Sequence, residues 1–468
     1  MRQNYKVVLL AICVAAGALL LYFIPPMGDV TKRVWMLSEL FPDSTDMASE
    51  DIPDVATLTA AADSTAVADS TTVADSTALA ENRPTVPTIP ANMPDSVTPI
   101  KDYSGGAAGG MNHIVSLLNT RGKLQRKVRI AYYGDSFIES DILTCDLRQM
   151  LQDRFGGEGV GWVGCKSVGT DQKPTISIIA SGITDKNHLD KGSFKQRLQG
   201  PSLRYYLPQN GAKLSLRGTE FRRHLSQWSH SQLYVRAPQG MTVTAKASLD
   251  TVSTTYTLEG SEQVQVIETM SDSTARLDYS FNGVGNNSQL LGVALEGSRG
   301  IQLDNFGMRS ESGWSVATIP DDALSAVAAH HSYDLIFIHF GLNATWKGIS
   351  NAQCRAYIDK TKLSIQHLRQ YFPQATIVVV SVSDRDQRTA EGLHTMDGVE
   401  RMVAHQEIMA QECGVCFLNL FEAMGGRDSM AGLVQQGKAN KDYTHINFKG
   451  GEVLAKRIYD ALMVYINK

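Results

Sequence analysis

Ser136, Asn343, Asp442 and His445 are the residues of this chain whose types and spacing could do chemistry together. A serine hydroxyl is a poor nucleophile until a base takes its proton, and the oxyanion it creates at a carbonyl needs donors already in place. His445 can be that base. Asp442, three residues earlier in Asp442-Tyr443-Thr444-His445, can fix its tautomer and support the imidazolium. The amide of Asn343, in Gly341-Leu342-Asn343, and the backbone N–H of Ser136, in Gly134-Asp135-Ser136-Phe137, are candidate donors to the oxyanion. Taken singly, each has a plainer reading as a turn, a helix cap or a structural histidine. The set, in this order, points to acyl transfer through a serine.

Such residues act only if secondary structure brings them to one place. Val128 to Tyr133 is a short run of β-formers that predicts a strand ending at Gly134, and an amphipathic helix follows through Leu143, Leu147, Met150 and Leu151. Asp334 to Phe340 and Thr376 to Val380 are continuous apolar runs, as buried parallel strands require, with a helical stretch from Ala352 to Phe372 between them. Val399 to Glu412 and Gly450 to Ile466 predict two further helices. Ser136 and Asn343 therefore fall at the carboxyl ends of strands, the edge where open α/β sheets hold their ligands. Between these regions, alternating runs such as Gln232 to Val235, Thr242 to Ala245 and Val264 to Ile267 are broken by Gly, Asn and Pro. That pattern predicts antiparallel strands. The expectation is an α/β fold with an inserted, antiparallel, β-sandwich-like domain.

Three of these motifs, in this order, resemble the blocks of the SGNH (GDSL) hydrolases: Gly134-Asp135-Ser136-Phe137, Gly341-Leu342-Asn343 and Asp442-Tyr443-Thr444-His445. Phe137 stands where the family's name-giving leucine does, and no second glycine follows to make a G-x-S-x-G elbow. The resemblance covers residues 111–468. It implies a three-layer, flavodoxin-like parallel sheet built from 111–174 and 304–468 around the insertion at 175–303. It also implies Ser136, Asp442 and His445 as catalytic residues, and Ser136, Asn343 and a second-block glycine as oxyanion donors. Gly307, which follows a strand-like run in Asp304-Asn305-Phe306-Gly307-Met308-Arg309, is taken as that glycine. A β-insertion before the second block is similar to envelope O-acetylesterases, among which those acting on peptidoglycan carry a carbohydrate-binding-like insertion. The implied reaction removes acetyl or another short acyl group from an envelope or extracellular glycan, with no metal or organic cofactor. Glycan O-acetyl transfer beside a membrane-bound acyltransferase partner, and glycan binding without catalysis, are the alternatives. Trp314 and Trp346, just after the second and third blocks, are candidates to stack on a sugar.

Composition bounds the rest. With 43% hydrophobic and 20% charged residues and a net charge of −4, the chain is ordinary for a folded protein and gives no electrostatic reason to expect nucleic acid. Arg2 and Lys6 precede an apolar run from Val7 to Ile24, which predicts an uncleaved signal anchor or transmembrane helix within 1–30. The small residues Ala15 to Ala18 lie inside that run rather than at its end, so a cleavage site is not expected. The protein is accordingly expected at the inner membrane, with its folded part in the periplasm or outside the cell. Ala-Asp-Ser-Thr recurs at 62, 68 and 74 and prolines follow, so 31–110 reads as a linker. Gly159-Val160-Gly161-Trp162-Val163-Gly164 follows a helix rather than a strand and reads as a loop, not a dinucleotide fingerprint.

Overall fold

The computed structural model describes residues 86–120, 122–167, 172–190, 192–248 and 252–466. The expected membrane anchor and the Ala-Asp-Ser-Thr repeats lie outside the described residues. Among the described residues, no helix is long and apolar enough to cross a membrane.

The chain opens with β1 (Ile100–Asp102), α1 (Met111–Leu118), β2 (Lys127–Gly134) and α2 (Thr144–Phe155). Nine strands follow: β3 (Gly161–Val163), β4 (Ile176–Asn187), β5 (Arg204–Gly218), β6 (Trp228–Ala237), β7 (Met241–Ala247), β8 (Thr254–Leu258), β9 (Ser261–Thr274), β10 (Arg276–Asn282) and β11 (Gln289–Glu296). Helix and strand then alternate through β12 (Gly300–Gly307), α3 (Asp321–His330), β13 (Leu335–His339), α4 (Asn351–Tyr371) and β14 (Thr376–Val380). The last stretch holds β15 (Asp386–Arg388), β16 (Leu393–Thr395), α5 (Val399–Cys413), β17 (Cys416–Leu418), α6 (Leu420–Ala423), α7 (Ser429–Gln435) and α8 (Phe448–Met463).

The central sheet has the order β1-β17-β14-β13-β2-β12, parallel throughout except for the β1–β17 pair. Its parallel part is doubly wound and reverses direction between β2 and β13, which makes the gap above these two strands the natural ligand site. Every residue of β13 and β14 is buried, so the sheet is covered on both faces as their unbroken apolar runs require. Ile336, Ile377 and Val378 are fully shielded, each contributing roughly 1.5–3 kcal/mol by leaving water. α2 packs on α8 and on β12, and α4 packs on α5.

Two expected boundaries are corrected. The linker read over 31–110 does not extend to Met111: β1 pairs with the edge strand β17, and Thr88 bridges Asp102. Asp102 then fixes the turn into α1 by accepting the amides of Ser104 (2.8 Å) and Met111 (2.9 Å). Three strand residues among prolines and glycines are too few to show a periodicity. The insertion read over 175–303 runs from β3 to β11, because β3 pairs with β11 and Gly300–Gly307 is already a parallel partner of β2. β11 and β12 are both fully buried, so alternation could not separate them.

The insertion encloses its own apolar core, which includes Trp228, Leu233, Val243 and Phe281. Its strands form one continuous antiparallel path that folds back on itself, so that Tyr256 of β8, at one end of the order, donates to the Glu268 carbonyl of β9 at the other (2.9 Å). β5 makes this work by changing neighbour along its length: Tyr206 faces β11, whereas Ala212 to Arg217 face β10. Where the insertion meets the central sheet, fully buried Glu296 accepts two N–H groups of Arg129 (2.9 and 2.8 Å) and also contacts His230 and Lys127. That network joins the end of β11 to the start of β2.

Candidate active site

β2 ends at Gly134, and the chain must turn at once over the top of β13. A side chain at Gly134 would stand 2.9 Å from the His339 carbonyl and 2.8 Å from Ile138, so only glycine fits. Asp135 holds the turn by accepting the Phe137 amide (2.9 Å). Ser136 is thereby left half-buried at the carboxyl edge, with its hydroxyl 3.0 Å from His445 Nε2. His445 Nδ1 lies 2.8 Å from Asp442 Oδ2. The other Asp442 oxygen accepts the amides of Thr444 (2.9 Å) and His445 (3.0 Å), which is why a three-residue spacing brings the two side chains together. Burial opposes the Asp442 charge, but the hydrogen bonds from the His445 ring and from these amides outweigh it and hold the carboxyl below its ordinary value. Asn447, not Asp442, caps α8, accepting Lys449 N (3.0 Å) and Gly450 N (3.3 Å). Ser136, His445 and Asp442 therefore form a continuous relay in which a proton can leave the hydroxyl, reach Nε2 and be balanced by a fixed carboxylate.

Asn343 arrives from the other side of the switch point, in a short turn after β13 that Gly341 opens at φ 119°. Its amide donates to the Glu311 carbonyl (3.0 Å) and to Asp135 Oδ2 (3.3 Å). Burial pushes the Asp135 carboxyl up to about 6, partly offset by the Phe137 amide and by His445. His339 lies beneath the same turn, fully buried, and burial pushes its ring down to about 3. It is a neutral packing group against Tyr132 and Phe137, not a second base.

Gly307 lies at the end of β12, beside the Ser136 loop. It sits opposite Gly134 in register, but its N–H already donates to Asn305 Oδ1 (3.1 Å). A side chain there would meet Glu139 Cα at 2.8 Å, so this glycine is required by close packing of the Ser136 loop. Asn305 uses its own amide on the Ile138 carbonyl (2.8 Å) and Thr144 (2.7 Å), supporting that loop from below. Three residues after Gly307, Ser310 takes a left-handed φ of 61° between Arg309, paired with Glu139, and Glu311, whose carbonyl holds Asn343. Nothing in the run Ser310-Glu311-Ser312-Gly313 marks Ser310 as the residue that turns, because serine seldom adopts that conformation.

The two tryptophans separate. Trp346 is 41% exposed, three residues beyond Asn343. Trp314 is partly buried, packs against Tyr357 and has Lys360 Nζ 4.6 Å from its ring. His330 ends α3 and His331 caps it, with His331 Nε2 on Asp304 (2.8 Å). Among the described residues, no three His, Cys, Asp or Glu side chains are grouped as a metal site. Arg385, which sequence reasoning missed in the polar run Ser383-Asp384-Arg385-Asp386, feels the charge of Asp442, and the next amide, Asp386 N, donates to the Tyr443 carbonyl (3.0 Å).

No family model and no curated protein matches the chain. A solved structure of a peptidoglycan O-acetylesterase covers 79% of this chain and 99% of its own, at 20% identity and a TM-score of 0.64. The chain shares the fold of that esterase. The overlap extends beyond the α/β part, since the described parallel sheet alone could not account for 79% of 468 residues. A family two carbohydrate esterase from Cellvibrio japonicus covers 62% of this chain and 98% of its own at 11% identity, with a TM-score of 0.23, too low to bear on the site.

Proposed function

We propose that the chain is a serine esterase that removes acetyl or another short acyl group from an envelope or extracellular glycan. The observation that supports this most is the Ser136–His445–Asp442 relay, with contacts of 3.0 and 2.8 Å, on a fold shared with a peptidoglycan O-acetylesterase. Ser136 Oγ attacks the ester carbonyl as its proton passes to His445 Nε2. The carbonyl π electrons move to oxygen, and the resulting oxyanion takes hydrogen bonds from the Ser136 N–H and from Asn343. The 3.3 Å contact from Asn343 to Asp135 is the weaker of its two and is the one exchanged for the oxyanion. Collapse expels the sugar oxygen, which takes the proton from His445 and leaves an acyl group on Ser136. Water then gives its proton to His445 and attacks that acyl group, so the acid is released and Ser136 regains its proton. Asp442 stays ionised throughout and stabilises the imidazolium. Trp346 offers an exposed aromatic face to the glycan. The anchor expected within 1–30 would hold this site at the membrane, facing the envelope.

Acetate release from O-acetylated peptidoglycan and from acetylated xylan, by the full chain and by Ser136→Ala, tests the reading. The parent is expected to release acetate and the variant to lose about 10⁴–10⁶-fold in kcat. Equal release by both would remove Ser136 from the mechanism. No release by either, with acetate instead appearing on an added glycan acceptor, would move the reaction to transfer.

A further inference from the structure

Arg385 lies in the loop that leaves the carboxyl end of β14, the edge of the sheet that carries Ser136 and His445. The side chains on either side of it turn to the start of α7: Asp384 accepts the Met430 amide (2.9 Å) and Asp386 the Ala431 amide (2.6 Å). Its backbone is fixed as well. The Arg385 carbonyl accepts Met396 N (2.7 Å), and the next amide donates to the Tyr443 carbonyl (3.0 Å) inside the Asp442–His445 loop. The side chain is half-buried and feels the charge of Asp442, yet makes no hydrogen bond or ion pair among the described residues. Asp442 accepts two amides and faces the His445 ring, and takes no hydrogen bond from Arg385. Burial pushes the guanidinium down from its ordinary value, and Asp442 restores only part of that. Arginine cannot shed its proton to relieve the loss of water. A fixed, partly desolvated cation with open donors is a site that a ligand completes.

The side of the cleft decides which part of the ligand. His445 passes its proton to the leaving oxygen, so the alcohol half of an ester lies towards Asp442 and His445, while the acyl oxygen faces Ser136 and Asn343. We propose that Arg385 is a substrate-binding residue that pairs with a carboxylate on the sugar losing its acyl group, so that the preferred substrate is an acylated acidic sugar. This inference rests on the esterase reading above. A cavity of about 340 Å³ adjoins the loop, with Met396 in its wall beside Thr395, Asp397, Glu400, Arg401 and Arg427. Its arginines are already matched, Arg427 by Glu400 (2.9 Å) and Arg401 by Asp397 (3.6 Å). The charges around it are therefore balanced internally, which leaves Arg385 as the cation that selects.

Matched substrates test this with the full chain, R385Q and R385K. One pair is singly acetylated methyl glucuronoside and methyl glucoside; the other is acetylated muramic acid and acetylated N-acetylglucosamine. In the parent, kcat/KM is expected to favour the acidic member by roughly tenfold or more, as a charge-assisted pair allows. R385Q should bring that ratio close to one, chiefly through KM, whereas R385K should retain part of it as a point charge without the fork. The pair with the larger ratio shows whether the carboxylate sits on the ring or on a lactyl ether. A parent ratio near one, or a ratio unchanged in R385Q, overturns the proposal. Titration of the Ser136→Ala protein with glucuronate and with glucose needs no turnover. If the parent hydrolyses nothing, the esterase reading falls, yet selective glucuronate binding that R385Q abolishes still upholds Arg385. Equal binding of the two sugars overturns it.

Discussion

The two edges of the central sheet hold similar residue types and use them differently. At the amino edge, Glu296 is completely buried and meets Lys127, Arg129 and His230, while Asp334 takes Arg126 (3.0 Å) and the Arg129 amide (3.1 Å). Each of these carboxylates is answered within the protein. At the carboxyl edge, Ser136, Asp442 and His445 are only partly covered, Asn343 makes one loose contact, and Arg385 makes no side-chain hydrogen bond among the described residues. Saturated charge holds a fold together. Charge and donors left open are where an outside molecule completes the set.

Substitutions that distinguish the edges should divide cleanly between activity and stability. Asp442→Asn is expected to have the largest effect, lowering kcat by about 10⁴-fold by presenting the wrong histidine tautomer. Its thermal midpoint should stay near the parent's; a large drop in that midpoint would mean that the carboxyl edge is structural too. Glu296→Ala should do the reverse. It leaves Arg129 and Lys127 facing a buried void and should destabilise the protein by about 3–5 kcal/mol in denaturant melts. The folded fraction should keep the parent's kcat, and a changed kcat would erase the contrast between the edges. The smallest effect belongs to His339, whose folded value of about 3 lies below the ordinary histidine value of about 6.5. Its neutral form is favoured by folding, so that stability is fully present above about pH 6.5 and is lost as pH falls towards 3. Between pH 7 and 4.5 it should account for up to about 2–3 kcal/mol, which urea midpoints at the two pH values would register and His339→Asn would flatten. An unchanged acid limb in that variant would show that the loss arises elsewhere.

Much of the carboxyl edge was legible because its strands are short, fully buried apolar runs whose ends are sharp in sequence. Val128 to Tyr133 and Leu335 to Phe340 stop just where Ser136 and Asn343 begin their turns. The Asp442–His445 spacing was readable because one carboxylate can fold back on two amides only over such a distance. The contact that occupies the Gly307 N–H was not readable, since sequence cannot tell where an N–H points, and here Asn305 accepts it. The packing of Trp314 was hidden for a related reason: its neighbours Tyr357 and Lys360 come from α4, more than forty residues away. Arg385 gave no periodic or motif signal, because an unpaired arginine in a polar loop looks like any other until its surroundings are known. The insertion's strands were visible by alternation, but their union in one sheet depends on β5 changing partners between distant segments.

One feature of the topology bears on how the molecule reaches this state. β2 and β12 are neighbours in the central sheet, yet the chain between Gly134 and Gly300 forms the whole insertion. A free loop of that length would have to be closed before the strands could pair, at a loss of chain entropy and with slow search. Among the described strands of the insertion, β4–β5 and β7–β8 can form as local hairpins, whereas β10 with β5, β11 with β6 and β3 with β11 join distant segments. Once formed, they bring the two ends of the loop close, with β3 and β11 already paired beside the gap. The insertion thus acts as a folding staple. Pairing of β12 with the nucleophile's strand therefore depends on contacts between distant segments, the pattern that slows folding.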